Sequence, residues 1–285
     1  MKRLKAKVSR AKVKRINEQR TTNILINYSM EVKAKKSLGQ HFLKDMEVAN
    51  NIARAIEGDG DVVLEIGPGM GVLTKLIKEF NYKKLYVSEV DLESIYYLVA
   101  NKIVEKEQIL GDFMKLNIEE LFGKDIAVIG NFPYNISSQI VFKTIDDRKY
   151  INIFAGMFQK EVAERICAAP GSKQFGILSV MVQAYYDAEY LFTVEPEVFK
   201  PPPKVKSGVI KLKRRQNLHL ECDEELFKKV VKTTFNTRRK MLRVSLKRLI
   251  GANDFLQDDF YMKRPEQLSV DDFIRITNEI TSNEK

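Results

Sequence analysis

From Asp61 onward the hydrophobic positions alternate between short β-branched runs and stretches with apolar residues at helical spacing, the pattern of a parallel sheet flanked by helices. The runs Val62–Ile66, Lys84–Ser88, Gln108–Leu110, Ala127–Ile129 and Ile151–Phe158 predict strands. Val72–Phe80, with Leu73, Leu76 and Ile77 on one face, and Leu92–Lys102 predict helices between them. An α/β, doubly wound sheet of this kind holds its ligand at the carboxyl ends of the strands, so the residues after each run carry the chemistry. Beyond about Val205 the period becomes helical, and Glu224–Thr234, Arg239–Ile250 and Val270–Ile280 predict a smaller second domain. Pro201-Pro202-Pro203 stiffens the approach to it, because consecutive prolines fix φ and donate no hydrogen bonds. The expected division is 31–204 for the ligand-binding sheet domain and 205–285 for the helical one, which suits a chain of 285 residues.

Charge changes this picture through its distribution. The formal net charge is +10, but residues 1–30 carry +8 and residues 200–248 carry +12, leaving the other positions at −10. Positive charge concentrated in a tail and one C-terminal stretch is expected where those segments meet phosphates. Residues 1–30 have no apolar period beyond Ile24-Leu25-Ile26 and read as a basic, disordered tail. They are either an RNA-touching arm or, the reading preferred here, a segment upstream of a translation start at Met30. Two cysteines, Cys167 and Cys222, lie at no zinc-ligand spacing, so neither a disulfide framework nor a metal is expected, and a reducing setting is. No apolar run approaches the ~20 residues that span a bilayer, and the N-terminus lacks a secretory apolar region, so an intracellular, cytoplasmic protein is expected.

Gly67-Pro68-Gly69-Met70-Gly71 follows the first predicted strand and opens a helix, allowing a tight turn close to a ligand. Glu89 ends the second strand, where a carboxylate accepts hydrogen bonds from ribose hydroxyls. A nicotinamide-dependent dehydrogenase uses the same device, but GxGxG in place of GxGxxG fits a cofactor without a pyrophosphate better. Asp112 follows the third run, either as acceptor for an adenine amino group or as a helix N-cap. Glu65, inside an apolar strand, is costly to bury without partners and either braces the glycine turn or faces the cofactor.

The fourth run ends in Asn131-Phe132-Pro133-Tyr134, which presents an amide, a backbone carbonyl and an aromatic ring within four residues. That set suits an aromatic amine. Accepting the N–H hydrogens of adenine N6 on Asn131 Oδ1 and the Phe132 carbonyl favours a pyramidal, nucleophilic nitrogen, and Tyr134 can stack on the base. With an activated methyl donor, alignment is the main catalytic requirement and no strong general base is needed. DNA, RNA and small-molecule acceptors all remain open on the motif alone.

Six segments together carry a family resemblance. They are Leu38–Leu43, Glu65–Gly69, Gly130–Ile136, Gln159–Ala163, Phe199–Val205 and Phe235–Lys240. The chain from Lys35 to about Ile280 resembles the small-subunit ribosomal RNA adenine N6,N6-dimethyltransferases. The resemblance implies a Rossmann-like S-adenosylmethionine-dependent methyltransferase sheet with a smaller C-terminal helical domain. It implies that His41, Leu43, Gly67, Glu89, Asp112 and Asn131 contact S-adenosyl-L-methionine, with Asn131, Phe132, Pro133 and Tyr134 at the catalytic centre. Two adjacent adenosines near the 3′ end of small-subunit RNA, in an immature 30S particle, are the implied acceptors, and the protein is expected to act as a monomer. His41 stands where Asn is frequent, and Val244 replaces a usual Asn. Phe199 corresponds to an aromatic that closes over the target base opposite Tyr134; by itself it would be core packing. Arg238, Arg239, Lys240, Arg243, Lys247 and Arg248, preceded by Lys211, Lys213, Arg214 and Arg215, form the expected RNA-phosphate surface, against the alternative of a solvated basic helix face. A large-subunit RNA adenine methyltransferase is the nearest rival, disfavoured by the 201–205 and 235–240 segments. A ribosome-assembly factor in which binding outweighs methylation is the rival from another class.

Overall fold

The computed structural model describes residues 32–283; the basic tail at 1–30 and the choice of start at Met30 lie outside them. The chain runs β1 (Phe42–Leu43), α1 (Met46–Arg54), β2 (Val62–Ile66), α2 (Val72–Ile77), β3 (Lys84–Ser88), α3 (Leu92–Ala100), α4 (Ile118–Phe122), β4 (Ile126–Asn131), α5 (Ser137–Asp146), β5 (Ile151–Gln159), α6 (Lys160–Cys167) and α7 (Ile177–Gln183). It continues through β6 (Tyr186–Val194), β7 (Phe199–Lys200), β8 (Ser207–Arg214), α8 (Glu224–Asn236), α9 (Leu242–Ile250) and α10 (Val270–Asn283). Aspartates start three of the helices: Asp45, Asp91 and Asp223 accept from backbone N–H groups of the first turns of α1, α3 and α8.

Six strands form one sheet in the order β3-β2-β4-β5-β8-β6. β3, β2, β4 and β5 are parallel, and β8 runs antiparallel between β5 and β6. The strand order reverses at β2, so the crevice at the carboxyl ends of β2 and β4 is where a doubly wound sheet takes a ligand. A two-stranded ribbon pairs β1 with β7 and ties residues near 42 to residues near 200 at that same end.

Two expectations change. The run Gln108–Leu110 is not a strand; Ile109 makes a single bridge to Val87. The Gln108 side chain replaces the ladder there, accepting from the Glu105 N–H at 2.8 Å and donating to the Leu85 carbonyl at 2.7 Å. The helical segment also begins later than Val205. Ser207–Arg214 is fully integrated in the sheet: its alternation of apolar and basic residues places Ile210 and Leu212 in the core on one face and Lys211 and Lys213 on the other, where Lys213 is exposed.

The helices beyond 223 do not build a core of their own. Phe227, Phe235 and Phe273 belong to one cluster with Phe132, Phe154 and Phe158 under the sheet. Arg148 locks that junction, pairing its guanidinium with both oxygens of Glu224 at 2.8 and 3.0 Å, donating to the Leu218 carbonyl and lying 4.2 Å from the centre of the Tyr185 ring. No helix among the described residues is long and apolar enough to cross a membrane.

Candidate active site

A cavity of about 330 Å³ opens at the carboxyl ends of β2, β3 and β4. It brings together all six residues expected at the cofactor, His41, Leu43, Gly67, Glu89, Asp112 and Asn131, and the rest of the Asn131–Tyr134 turn. Gly67 has φ +67°, and a Cβ there would meet nothing nearer than the Asn131 carbonyl at 3.9 Å, so the turn leaves open space beside its backbone.

Glu89 is buried, and three N–H groups hold it: Gly69 donates to Oε2 at 3.2 Å, Val90 and Asp91 to Oε1 at 2.8 and 2.9 Å. Burial pushes its carboxyl above the usual range, while those N–H groups pull the other way. A carboxylate has about four acceptor sites, so one remains for a hydroxyl from the cavity. Asp112 is a helix N-cap that also lines the cavity. Its Oδ1 accepts from the Met114 N–H at 3.0 Å.

Glu65 accepts from the Thr74 hydroxyl at 2.6 Å in the first turn of α2, the helix that the glycine turn opens, and also lines the cavity. Complete burial, with Glu89 nearby, pushes its carboxyl up to about 8. The folded protein therefore keeps this proton up to pH of about 8, whereas an unperturbed carboxyl releases it near 4.5. The stability Glu65 contributes is complete below 4.5 and is lost as pH rises toward 8. Glu65→Gln, which stays neutral, should flatten the fall in urea midpoint across that window and be the more stable form at its upper end; parallel pH profiles would show that Glu65 is ionised in the fold.

The Asn131 amide is set by the chain 90 residues upstream, its Nδ2 donating to the His41 carbonyl at 2.9 Å. Its Oδ1 and the Phe132 carbonyl have no hydrogen-bond partner among the described residues. The Phe132 ring points the other way, buried against Phe154 at 4.9 Å and Phe158 at 5.0 Å. The ring of Phe132 is thus held in the core, while its main chain continues the turn that lines the cavity. Tyr134 lines the mouth, stacked on the His41 ring at 5.5 Å with its hydroxyl 2.6 Å from Ser207 Oγ. His41 Nδ1 lies 2.8 Å from the Pro201 carbonyl.

Phe199 is not placed opposite Tyr134. It is 1 % exposed, paired in register with Leu43 and packed in the core on the other face of the sheet. The ring belongs to packing in this structure, since the β1–β7 ribbon turns it inward. The basic residues also divide. Lys211, Arg214 and Arg215 are bound to Asp59, Asp125 and Asp187, and Arg238 lies 3.7 Å from Glu266. Arg239, Lys240, Lys247 and Arg248 are exposed and Arg243 half-buried, with no ion pair among the described residues. Arg238, Arg239 and Lys240 sit on the turn between α8 and α9, not on a helix; Val244 is 40 % exposed on α9 beside them.

Asp91, Gln40 and Ser207 escaped the sequence reading. Asp91 takes hydrogen bonds from Lys35, Gln40 and Ser94, fastening the 35–40 segment over the cavity. Burial pushes its carboxyl up, but those bonds outweigh it and hold the group below the usual range. The position of Asp91, opening a helix two residues after Glu89, was the available clue; for Ser207 there was none.

A glycine turn, a buried acceptor after the neighbouring strand and an Asn-Phe-Pro-Tyr turn, on a sheet of this order, make the chain an S-adenosylmethionine-dependent methyltransferase. More narrowly, the chain belongs to the ribosomal RNA adenine dimethylase family, whose model matches residues 31–282. It is 55 % identical over 258 residues to the ribosomal RNA small subunit methyltransferase A of Flavobacterium johnsoniae, covering 89 % of this chain and 98 % of the relative. The same-named protein of Bacteroides thetaiotaomicron is 55 % identical over 254 residues, with 87 % and 94 % covered. Among solved structures, a dimethyladenosine transferase from Plasmodium falciparum superposes with a TM-score of 0.74 at 26 % identity, covering 86 % of this chain and 98 % of that one. The 23S rRNA methyltransferase ErmE superposes with a TM-score of 0.62 at 25 % identity, with 83 % and 99 % covered.

Proposed function

We propose that the protein transfers methyl groups to the N6 amino groups of two adjacent adenosines near the 3′ end of small-subunit ribosomal RNA, acting as a monomer on an immature 30S particle in the cytoplasm. The observation that carries the reading is the Asn131 amide, oriented by the His41 carbonyl so that Oδ1 remains an acceptor beside the Phe132 carbonyl. The small-subunit acceptor rests on the names of the relatives that share most of their length with this chain.

The residues present fit S-adenosylmethionine: an open cradle at Gly67, a carboxylate at Glu89 with acceptor capacity left over, and a second carboxylate at Asp112. When bound, the cofactor supplies an electrophilic methyl group on a sulfonium. Glu89 would accept from its ribose hydroxyls and Asp112 from its adenine amino group. Asn131 Oδ1 and the Phe132 carbonyl would accept hydrogen bonds from the two N–H groups of the target amine in the first transfer, and from its one remaining N–H in the second, turning the lone pair out of conjugation. As the N–C bond forms the methyl–sulfur bond would break to leave a neutral thioether, and the methylated nitrogen would release a proton to water. Tyr134 would support the base by stacking.

Incubating the protein with labelled cofactor and unmethylated small subunits, followed by nucleoside mass spectrometry, should yield dimethyladenosine; its absence despite bound cofactor refutes the reading. Arg239 and Lys240 are adjacent, exposed and in no ion pair among the described residues, as phosphate contact requires. Arg239→Glu with Lys240→Glu should weaken RNA binding and lower the slope of log affinity against log salt by about 1.5, with cofactor binding intact. An unchanged slope would remove this turn from the RNA interface.

A further inference from the structure

Tyr134 sits on a turn that leaves the sheet after Asn131, so no strand ladder fixes its ring. The position of the ring is instead set by the connection between β7 and β8. The Tyr134 hydroxyl lies 2.6 Å from Ser207 Oγ, and its ring stacks on His41, whose Nδ1 is 2.8 Å from the Pro201 carbonyl. Ser207 is a rigid anchor. It is fully buried, opens β8, and pairs with Gln159 of β5 on one side and Val194 of β6 on the other. The preceding Lys206 carbonyl accepts from the Lys160 N–H at 2.9 Å.

We propose that Ser207 is a positioning residue for methyl transfer, its hydroxyl holding the Tyr134 ring in the orientation on which the target adenine stacks. This rests on the reading of Tyr134 as the base platform. A ring held in one orientation keeps the stacked base aligned, so that the amine meets Asn131 in register. The loss of that hold affects the alignment of the bound base more than the binding of either substrate, so it falls on kcat.

The test is a double-mutant cycle with Ser207→Ala and Tyr134→Phe, assayed on unmethylated small subunits. Each single variant should lower kcat about fivefold, the size of one neutral hydrogen bond, with KM for the subunit and Kd for the cofactor unchanged. The double variant should lose no more than either single one. Additive losses, a rise in KM or cofactor Kd, or an unchanged kcat in Ser207→Ala would overturn the proposal. If Ser207→Ala does not fold, Tyr134→Phe deletes the same bond from the turn side, and an unchanged kcat there overturns it equally. Tyr134→Ala separates the two readings. Full activity in that variant removes the base platform itself, whereas a large loss there beside a silent Ser207→Ala removes only the role of Ser207.

Discussion

Asn131→Ala should lower the rate constant for methylation by about 10²–10³-fold, the usual consequence of removing one preorganised polar group from a reaction centre. The amide does two things that alanine cannot. Nδ2 fastens the turn to the His41 carbonyl, and Oδ1 is held where it can accept from an incoming amine. The rate falls through both, because the nitrogen lone pair stays conjugated with the base and the turn is free to shift relative to the glycine loop. Stability should change little, since the side chain is partly exposed and the core beneath is built by Phe132, Phe154 and Phe158. Single-turnover methylation with labelled cofactor, read beside the melting temperature, checks both halves. A variant that methylates within threefold of the parent, by about 0.6 kcal/mol of barrier, would remove Asn131 from the chemistry.

Gly156→Ala should be among the most destabilising single-methyl changes in the molecule. A Cβ at Gly156 would lie 2.2 Å from the Gly130 carbonyl and 2.5 Å from Phe132 Cε2, and φ there is +152°. Gly130 is its counterpart on the neighbouring strand, with a Cβ 2.5 Å from the Ile66 carbonyl and 2.8 Å from Phe132 Cε1. The Phe132 ring thus lies flat on the backbones of two paired strands, which is how the turn carrying Asn131 and Tyr134 is clamped to the sheet. An added methyl must part β4 from β5 or lift the ring, at a cost of about 3 kcal/mol or more. Activity at temperatures where the variant is still folded should fall as well, because lifting Phe132 moves its neighbours on both sides. Urea unfolding of Gly156→Ala beside the parent measures the effect; a loss below about 1 kcal/mol would show that the ring does not rest on these strands.

Much of the site was legible in the sequence because its parts are local. The glycine turn, Glu89 and Asn131–Tyr134 each follow a strand directly, and strands are recognisable from β-branched runs that a parallel sheet buries on both faces. The edge strand Tyr186–Val194 was not legible, since its charged and half-exposed residues break such a run. Neither was the strand Ser207–Arg214, whose basic residues resemble a surface for phosphates although Asp59 and Asp125 hold Lys211 and Arg214, as Asp187 holds the Arg215 that follows. Phe199 is the opposite case: read by itself it is core packing, the place the structure gives it through its pairing with Leu43, and only the family correspondence set it over the target base.

The sequence by itself determined the α/β class, the order of the chemical parts along the chain and the glycine turn, the Glu89 carboxylate and the Asn131–Tyr134 turn that line the cavity. Period and spacing specify which face of an element is apolar and which residues end it, and both are properties of neighbouring positions. Only the tertiary structure decided the partners. His41 meets Asn131 across 90 positions, Tyr134 meets Ser207 across 73, and Lys211 meets Asp59 across 152. Such pairings depend on strand order and register, which follow from packing the whole core and leave no trace in any one segment.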